Sequence, residues 1–280
     1  MKKVVTTPEF ADQHDFIASL PERFERGEGK IVYNGRNQLR EFTNNGVTMV
    51  VKSFCLPKFI NRIAYGFLRS SKAQRSCEYA QLLLSKGIAT PAPIGYVTER
   101  KGLLFGRSYY ASVKSDYTHN FYDAVQPGVE NRDKFLVAVA KTTARLHECG
   151  FLHKDYSAGN ILLRELEDGT IRVEIIDLNR IRFRKISLDE GCKNFERLPM
   201  NEDIVSVMAP PYAEARKLDA QQCLSALNTY NTYKIYPKVL PHELHSQNAT
   251  RYSRSAPLLL PSTPTSPYHD APREKRRGDD

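Results

Sequence analysis

The chain has 280 residues, with 41 Lys and Arg against 32 Asp and Glu, a formal net charge of +9. Hydrophobic residues make up 41% and charged residues 26%, an ordinary globular mixture that excludes whole-chain disorder, and no run approaches the ~20 apolar residues that span a bilayer. Such a length suits one two-lobed domain or two small ones, and the basic balance points to an anionic partner: nucleic acid, nucleotide, phospholipid or phosphorylated sugar.

Met1-Lys2-Lys3-Val4-Val5 begins as a signal peptide does but turns polar at Thr6-Thr7-Pro8-Glu9, so export is not expected. Residues 1–29 read as a polar N-terminal extension with no predicted element. Ile31-Val32-Tyr33 is a short apolar run before the turn Asn34-Gly35-Arg36-Asn37. A second turn, Asn44-Asn45-Gly46, precedes an alternating, β-branched strand over 47–54. An antiparallel meander is therefore expected at the front of the fold.

Residues 57–72 place Phe59, Ile60, Ile63, Phe67 and Leu68 at helical spacing, and 74–86 predict a second helix stopped by Gly87. Strands follow over 94–98, 102–104 and 108–113. The polar stretch 114–120 reads as a hinge between lobes, which divides the fold into 30–114 and 115–244. The clearest helix spans 131–149, with Phe135, Leu136, Val139, Ala140, Thr143 and Leu146 on one stripe. Apolar strands 161–163 and 171–176 flank the hairpin turn Glu167-Asp168-Gly169-Thr170, and 201–235 looks helical. Residues 245–280, rich in Pro, Ser and Thr and then in charge, predict a disordered tail. The five cysteines are scattered and odd in number, which argues against a disulfide framework or a zinc site.

The chemistry concentrates in His153-Lys154-Asp155-Tyr156-Ser157-Ala158-Gly159-Asn160, followed by Ile175-Ile176-Asp177-Leu178-Asn179. This H-x-D-x-x-x-x-N pattern, with a second Asp ending a later strand, suits phosphoryl transfer. Asp155 would orient and deprotonate an attacking hydroxyl, and Asn160 and Asp177 would give hard oxygen ligands to Mg²⁺ on the phosphates of ATP. His153 would brace the loop. A polar helix-to-strand turn alone explains such residues, but not their combination with a strand lysine.

Lys52, at the end of the 47–51 strand run, is the candidate phosphate-binding lysine, and Glu78 on the following helix is expected to pair with it. Gly35 sits in the turn after the first strand, whose backbone amides are candidates to cap phosphate oxygens. The chain departs from ordinary protein kinases: it lacks G-x-G-x-x-G, reads Asp177-Leu178-Asn179 in place of D-F-G, and has no A-P-E. A peptide-docking activation segment is thus missing.

Lys52-Ser53-Phe54, the segment from Asn61 to Phe67, Ser76-Cys77-Glu78-Tyr79-Ala80, Thr90-Pro91-Ala92-Pro93-Ile94-Gly95-Tyr96, the 153–163 loop and Ile176-Asp177-Leu178-Asn179-Arg180 resemble the lipopolysaccharide kinase family (Kdo/WaaP and InaA type), particularly its Bacteroidetes-like members. The resemblance covers about residues 30–240. It implies an α+β, bilobal protein-kinase-like fold with a small antiparallel N-lobe sheet and a mainly helical C-lobe. It also implies ATP- and Mg²⁺-dependent phosphorylation of a Kdo or heptose hydroxyl in the lipopolysaccharide inner core, by a cytoplasmic protein at the inner face of the inner membrane.

The charge pattern agrees. Lys52, Lys58, Arg62, Arg69, Lys72 and Arg75 occur without an intervening Asp or Glu, and Arg180, Arg182, Arg184 and Lys185 follow Asp177. Arg180 and Arg182 are candidate contacts for an anionic, lipid-linked saccharide of the lipid A–Kdo type, and residues 57–72 are candidates for an anionic membrane surface or for packing into the small lobe. Competing readings are a small-molecule phosphotransferase of the aminoglycoside or choline type, an atypical protein kinase, and a non-catalytic pseudokinase. The arginines after Asp177 disfavour cationic aminoglycosides. No nucleic-acid partner is expected, because no aromatic-basic strand motif or helix-turn-helix accompanies the charge.

Overall fold

The computed structural model describes residues 2–55, 70–101 and 104–231. Residues 57–69 of the expected amphipathic segment 57–72, the strand start at 102–103 and everything from 232 onward, including the expected tail, lie outside the described residues.

The first lobe is built on an antiparallel sheet of six strands: β1 (Lys2–Thr6), β2 (Lys30–Asn34), β3 (Gln38–Asn44), β4 (Val47–Phe54), β5 (Pro93–Lys101) and β6 (Leu104–Val113). Their order across the sheet is β1-β5-β6-β4-β3-β2. The meander expected from the turn residues is present, and the β3–β4 turn takes Asn45 and Gly46 through φ of 46° and 76°, the paired left-handed geometry that Asn-Gly tolerates. Strand alternation then sorts β4. Met49 and Val51 point to one face of the sheet and are fully buried, while Val50, Lys52 and Phe54 point to the other.

The Met49 face is roofed by α1 (His14–Ala18) and α2 (Leu20–Glu25), which bury Phe16, Ile17, Leu20 and Phe24 against it. This corrects the expectation of a separate polar extension over 1–29. β1 pairs with β5 from Lys2↔Glu99 to Thr6↔Gly95, so the segment supplies both an edge strand and the cover of the sheet. The apolar residues at 16, 17, 20 and 24 form a single helical stripe, diluted in sequence by the charged residues between them.

Helix α3 (Lys72–Ser85) lies on the opposite face. The Ser71 hydroxyl caps it by accepting from the Gln74 N–H at 2.8 Å. Its end is set by Gly87 at φ 66°, and the Ile88 N–H closes on the Leu83 carbonyl at 3.0 Å, the stop the sequence predicts. Ala73 and Cys77 pack on Phe54 and Tyr96 of the sheet, whereas Ala80 and Leu83 join the core of the second lobe. The helix thereby mortises the two lobes together.

From Val113 the chain passes through 114–118 into β7 (His119–Asn120), α4 (Phe121–Ala124) and α5 (Arg132–Glu148). Then come β8 (Phe151–His153), a 3-10 turn (Ala158–Asn160), β9 (Ile161–Glu165) and β10 (Ile171–Ile175). A second 3-10 turn (Leu178–Arg180) leads to β11 (Ile181–Phe183), α6 (Leu188–Lys193), α7 (Glu202–Arg216) and α8 (Ala220–Tyr230). Leu136, Val139, Ala140, Thr143 and Leu146 of α5 are buried as their spacing predicts, in a core shared with Val205, Met208, Ala209 and Tyr212 of α7. The β9–β10 hairpin pairs Ile161↔Ile175 through Glu165↔Ile171. Its turn is held by the Thr170 N–H on Asp168 Oδ1 at 2.8 Å. Within its described part, up to Asn231, the helical stretch expected over 201–235 is two helices, parted where Lys217 turns left-handed at φ 53° and Asp219 caps α8.

Candidate active site

A cleft of about 700 Å³, open to solvent, separates the sheet from the β9–β10 hairpin. Leu39 and Val50 line it from the sheet, and Leu162 and Ile176 from the second lobe, a sandwich fit for a flat aromatic ring. Ser112, Val113 and Ser115, at the crossing between lobes, close one end. Lys52, Asn160 and Asp177 bring the polar groups together at the other.

Lys52 and Asp177 meet across the cleft. Lys52 is aimed there by the alternation of β4, and its ammonium lies 2.6 Å from Asp177 Oδ1, with 14% and 17% of the two side chains exposed. Asp177 follows β10 and takes φ 62°, ψ 45°, a left-handed backbone that Asp tolerates better than most residues. Asn179 Nδ2 donates to the same Oδ1 at 2.6 Å, which fixes the carboxylate rotamer.

The loop carrying Asp155 is braced from within. His153 is wholly buried. Its Nε2–H donates to the Ile176 carbonyl at 3.1 Å, one residue before Asp177, and its Nδ1 accepts the Asp155 N–H at 3.1 Å. This hydrogen-bond pattern is that of a neutral ring, and burial pushes the imidazole pKa down, which keeps it neutral. Asn160 Nδ2 donates to the Asp155 carbonyl at 2.8 Å and to Ser157 Oγ at 3.2 Å. Tyr156, also buried, donates its hydroxyl to Thr143 Oγ1, whose own proton goes to the Val139 carbonyl, so the loop is pinned to α5.

Behind this loop runs a buried polar chain that the sequence reading missed. Arg216 Nη1 donates to the Tyr212 hydroxyl at 2.7 Å, which donates to His147 Nδ1 at 2.8 Å. His147 Nε2–H donates to Asn194 Oδ1 at 3.0 Å, and Asn194 Nδ2 donates to the His153 carbonyl at 2.9 Å. Side chains from α5, α7 and the C-terminal cap of α6 thus converge on the backbone just ahead of Asp155. Their separations of up to 69 residues in the chain explain why no local motif announced them.

Glu78 is a correction. It is exposed on α3 and accepts from Gln74 Nε2 at 2.8 Å, and the cleft-side partner of Lys52 is Asp177. The reason is helical phase: Ala73, Ser76, Cys77 and Ala80 face inward, and 74 and 78 fall together on the outer side. What α3 does contribute is Arg75, whose Nε–H donates to the Asn179 carbonyl at 3.2 Å, and Lys72. Burial, and then the nearby cations Arg36, Lys52 and Arg75, push the Lys72 pKa down. Cations therefore crowd together around Lys72 and Lys52 before any anion is bound. Gly35 lies at the tip of the β2–β3 hairpin and its N–H bonds the Asn37 carbonyl at 3.4 Å; it does not line the cleft.

Around the Asp155 carboxylate, Arg197 Nη1 pairs with Oδ1 and Arg180 Nη1 lies 3.6 Å from Oδ2. Arg180 was foreseen near the site; Arg197, which lies between α6 and α7, was not. Arg182 stands exposed on β11 opposite Leu152 and takes no part in the pairing with Asp155.

Among the described residues no group of three or more His, Cys, Asp or Glu side chains is arranged for a metal ion. Asn160 and Asp177 fit a narrower demand. An amide oxygen and a carboxylate on the same cleft wall are the hard donors that magnesium accepts when its other positions go to water and phosphate oxygens. Among the described residues no helix is long and apolar enough to cross a membrane.

Comparison with known proteins gives this geometry a setting. A model of the lipopolysaccharide kinase (Kdo/WaaP) family matches residues 33–222. A 3-deoxy-D-manno-octulosonic acid kinase of Mannheimia succiniciproducens is 30% identical over 125 residues, 43% of this chain and 50% of the relative. The Pasteurella multocida protein of the same name is 29% identical over 112 residues, 39% of this chain and 46% of the relative. The chain thus spans about half the length of the curated relatives it matches. Among solved structures, WaaP in complex with acyl carrier protein superposes with a TM-score of 0.55 at 17% identity, over 84% of this chain and 99% of that one. That likeness shows a shared kinase-like fold. With a family model spanning both lobes and every cleft residue described above, the chain belongs to the lipopolysaccharide kinase (Kdo/WaaP) family.

Proposed function

We propose that this protein transfers the γ-phosphoryl group of ATP to a hydroxyl of an anionic, lipid-linked sugar, Kdo or heptose, in the inner core of lipopolysaccharide. The observation that carries the reading is the convergence of Lys52, Asp177 and Asn160 in one cleft, beside a braced Asp155. The names of the two relatives support Kdo as the acceptor class.

In this reading the adenine ring lies between Leu39 and Val50 on one side and Leu162 and Ile176 on the other. Lys52, with Lys72 and Arg36 nearby, holds the phosphates; a polyphosphate relieves the mutual repulsion that, after burial, lowers the Lys72 pKa. Magnesium, when bound, neutralises phosphate charge and orients the terminal phosphoryl group, and Asn160 and Asp177 would hold it. Asp155 accepts the proton of the sugar hydroxyl as its oxygen bonds to the γ-phosphorus. The bond from that phosphorus to the β,γ-bridging oxygen breaks, and ADP leaves. The residues have little covalent chemistry to do: their contribution is to place the hydroxyl oxygen in line and the carboxylate beside it.

The test is incubation with ATP, Mg²⁺ and lipid A precursors bearing Kdo or heptose, followed by mass spectrometry for one added phosphoryl group. Asp155→Asn is expected to abolish the product and to keep nucleotide binding. Wild-type turnover in that variant would remove Asp155 from the mechanism.

A further inference from the structure

We propose that Arg197 and Arg180 form the subsite for an oxyanion next to the acceptor hydroxyl, a carboxylate or a phosphate, and that without acceptor the same guanidinium groups cap Asp155. The inference rests on the reading of Asp155 as the base and adds what controls it.

Three observations carry it. Both carboxylate oxygens of Asp155 are engaged, by cations from two separate segments: Oδ1 by Arg197, from the segment between α6 and α7, and Oδ2 by Arg180 at 3.6 Å, from the turn after Asp177. The arginine side chains are 51% and 61% exposed while Asp155 is 22% exposed, so the cations are the solvent-facing members of both pairs and are free to exchange partners. Among the described residues, Asp155 is the one carboxylate that pairs with either arginine. Two positive charges meet a single negative one, and this leaves a site short of one anion.

The competition this creates is chemical. A hydroxyl that is to lose its proton must hydrogen-bond to an Asp155 oxygen, where a guanidinium now sits. Water and neutral alcohols offer the displaced arginine nothing in exchange. An acceptor with a carboxylate or phosphate beside its hydroxyl offers an equivalent, bidentate partner, so it moves the cations over by one anion and uncovers the base. Anion recognition and base release are then the same event, and ATP is protected from water until the acceptor arrives.

The experiment measures acceptor-independent ATP hydrolysis, and transfer to a Kdo-bearing lipid A precursor, to its Kdo carboxamide derivative and to its dephosphorylated form. The proteins compared are wild type, Arg197→Ala, Arg197→Lys, Arg180→Ala and the Arg197→Ala/Asp155→Asn double variant. The expected result for Arg197→Ala is an acceptor KM raised about 10-fold or more, in line with losing a charged hydrogen bond. Its preference for the charged acceptor should disappear and its ATP hydrolysis should rise several-fold, with the rise lost in the double variant. Arg197→Lys, which keeps the charge without the fork, should fall between. A preference sensitive to amidation identifies the carboxylate as the ligand, and one sensitive to dephosphorylation identifies the phosphate. An unchanged KM with unchanged preference, or hydrolysis that falls together with transfer, overturns the proposal. If wild type phosphorylates none of the acceptors, the proposed function fails by itself; the hydrolysis arm still decides the cap, a rise supporting it and no rise overturning it.

Discussion

His147 gives the fold an acid-sensitive point whose size can be worked out. The imidazole sits in the core with Nδ1 accepting from Tyr212 and Nε2–H donating to Asn194, and burial pushes its pKa down from an ordinary 6.5 to about 4. The Arg216 charge adds to the depression, and the Asn194 hydrogen bond opposes it. Because the native state holds the ring neutral, the unfolded chain binds the proton first as pH falls. Stability is therefore full above about 6.5 and declines from there down to about 4. At 1.36 kcal/mol per pH unit the whole interval is worth about 3 kcal/mol, of which about 2 kcal/mol is already lost at pH 5. The measurement is urea unfolding at pH 7.5 and pH 5, for wild type and for His147→Asn, whose amide oxygen can still accept from Tyr212. Subtracting the two pH differences cancels the other titrating groups. The variant should be less stable at pH 7.5 yet lose about 2 kcal/mol less on acidification. Equal losses in both proteins would refute the neutral, buried His147 on which the polar chain behind Asp155 depends.

Other substitutions separate the parts of the structure. Lys52→Met should abolish phosphate transfer and weaken nucleotide binding more than tenfold, because it also strands the mostly buried Asp177 charge, whereas Glu78→Ala should leave both within about twofold, as read by nucleotide titration. Ile17→Ala should cost about 2–4 kcal/mol in denaturant unfolding, since this fully buried side chain belongs to the sheet's roof; a change below 1 kcal/mol would return residues 1–29 to the status of an appendage. Gly191→Ala should cost at least 2 kcal/mol, because a Cβ there would collide with the Tyr212 hydroxyl and Arg216 and lie 3.1 Å from His147 Nδ1; circular dichroism melting would show it.

What could be read from the sequence was what is local. The H-x-D-x-x-x-x-N spacing is held by hydrogen bonds within a few residues of itself, and Asn160 to Asp155 is one of them. Lys52 was legible because strand alternation dictates which face a residue takes, and the 132–148 stripe because a long helix repeats its pattern often enough. Glu78 was misread by its chemistry when its phase on the helix gave the answer: the small, apolar stripe 73, 77 and 80 was visible in the sequence and places 78 outside. The roof of the first lobe was missed because its four apolar residues lie in two helices of five and six residues, among charges. Arg197 and Asn194 were beyond reach: they meet the 153–160 loop from about 40 residues away, through tertiary packing that no window of the chain contains.

The way His153 is held decides where a proton can travel. One ring nitrogen receives a main-chain amide and the other gives its hydrogen to a main-chain carbonyl, so neither is vacant to relay charge. In the proposed reaction a hydrogen ion taken up by the neighbouring carboxylate finds no onward path through this ring, and the imidazole serves as a strut with no share in the traffic.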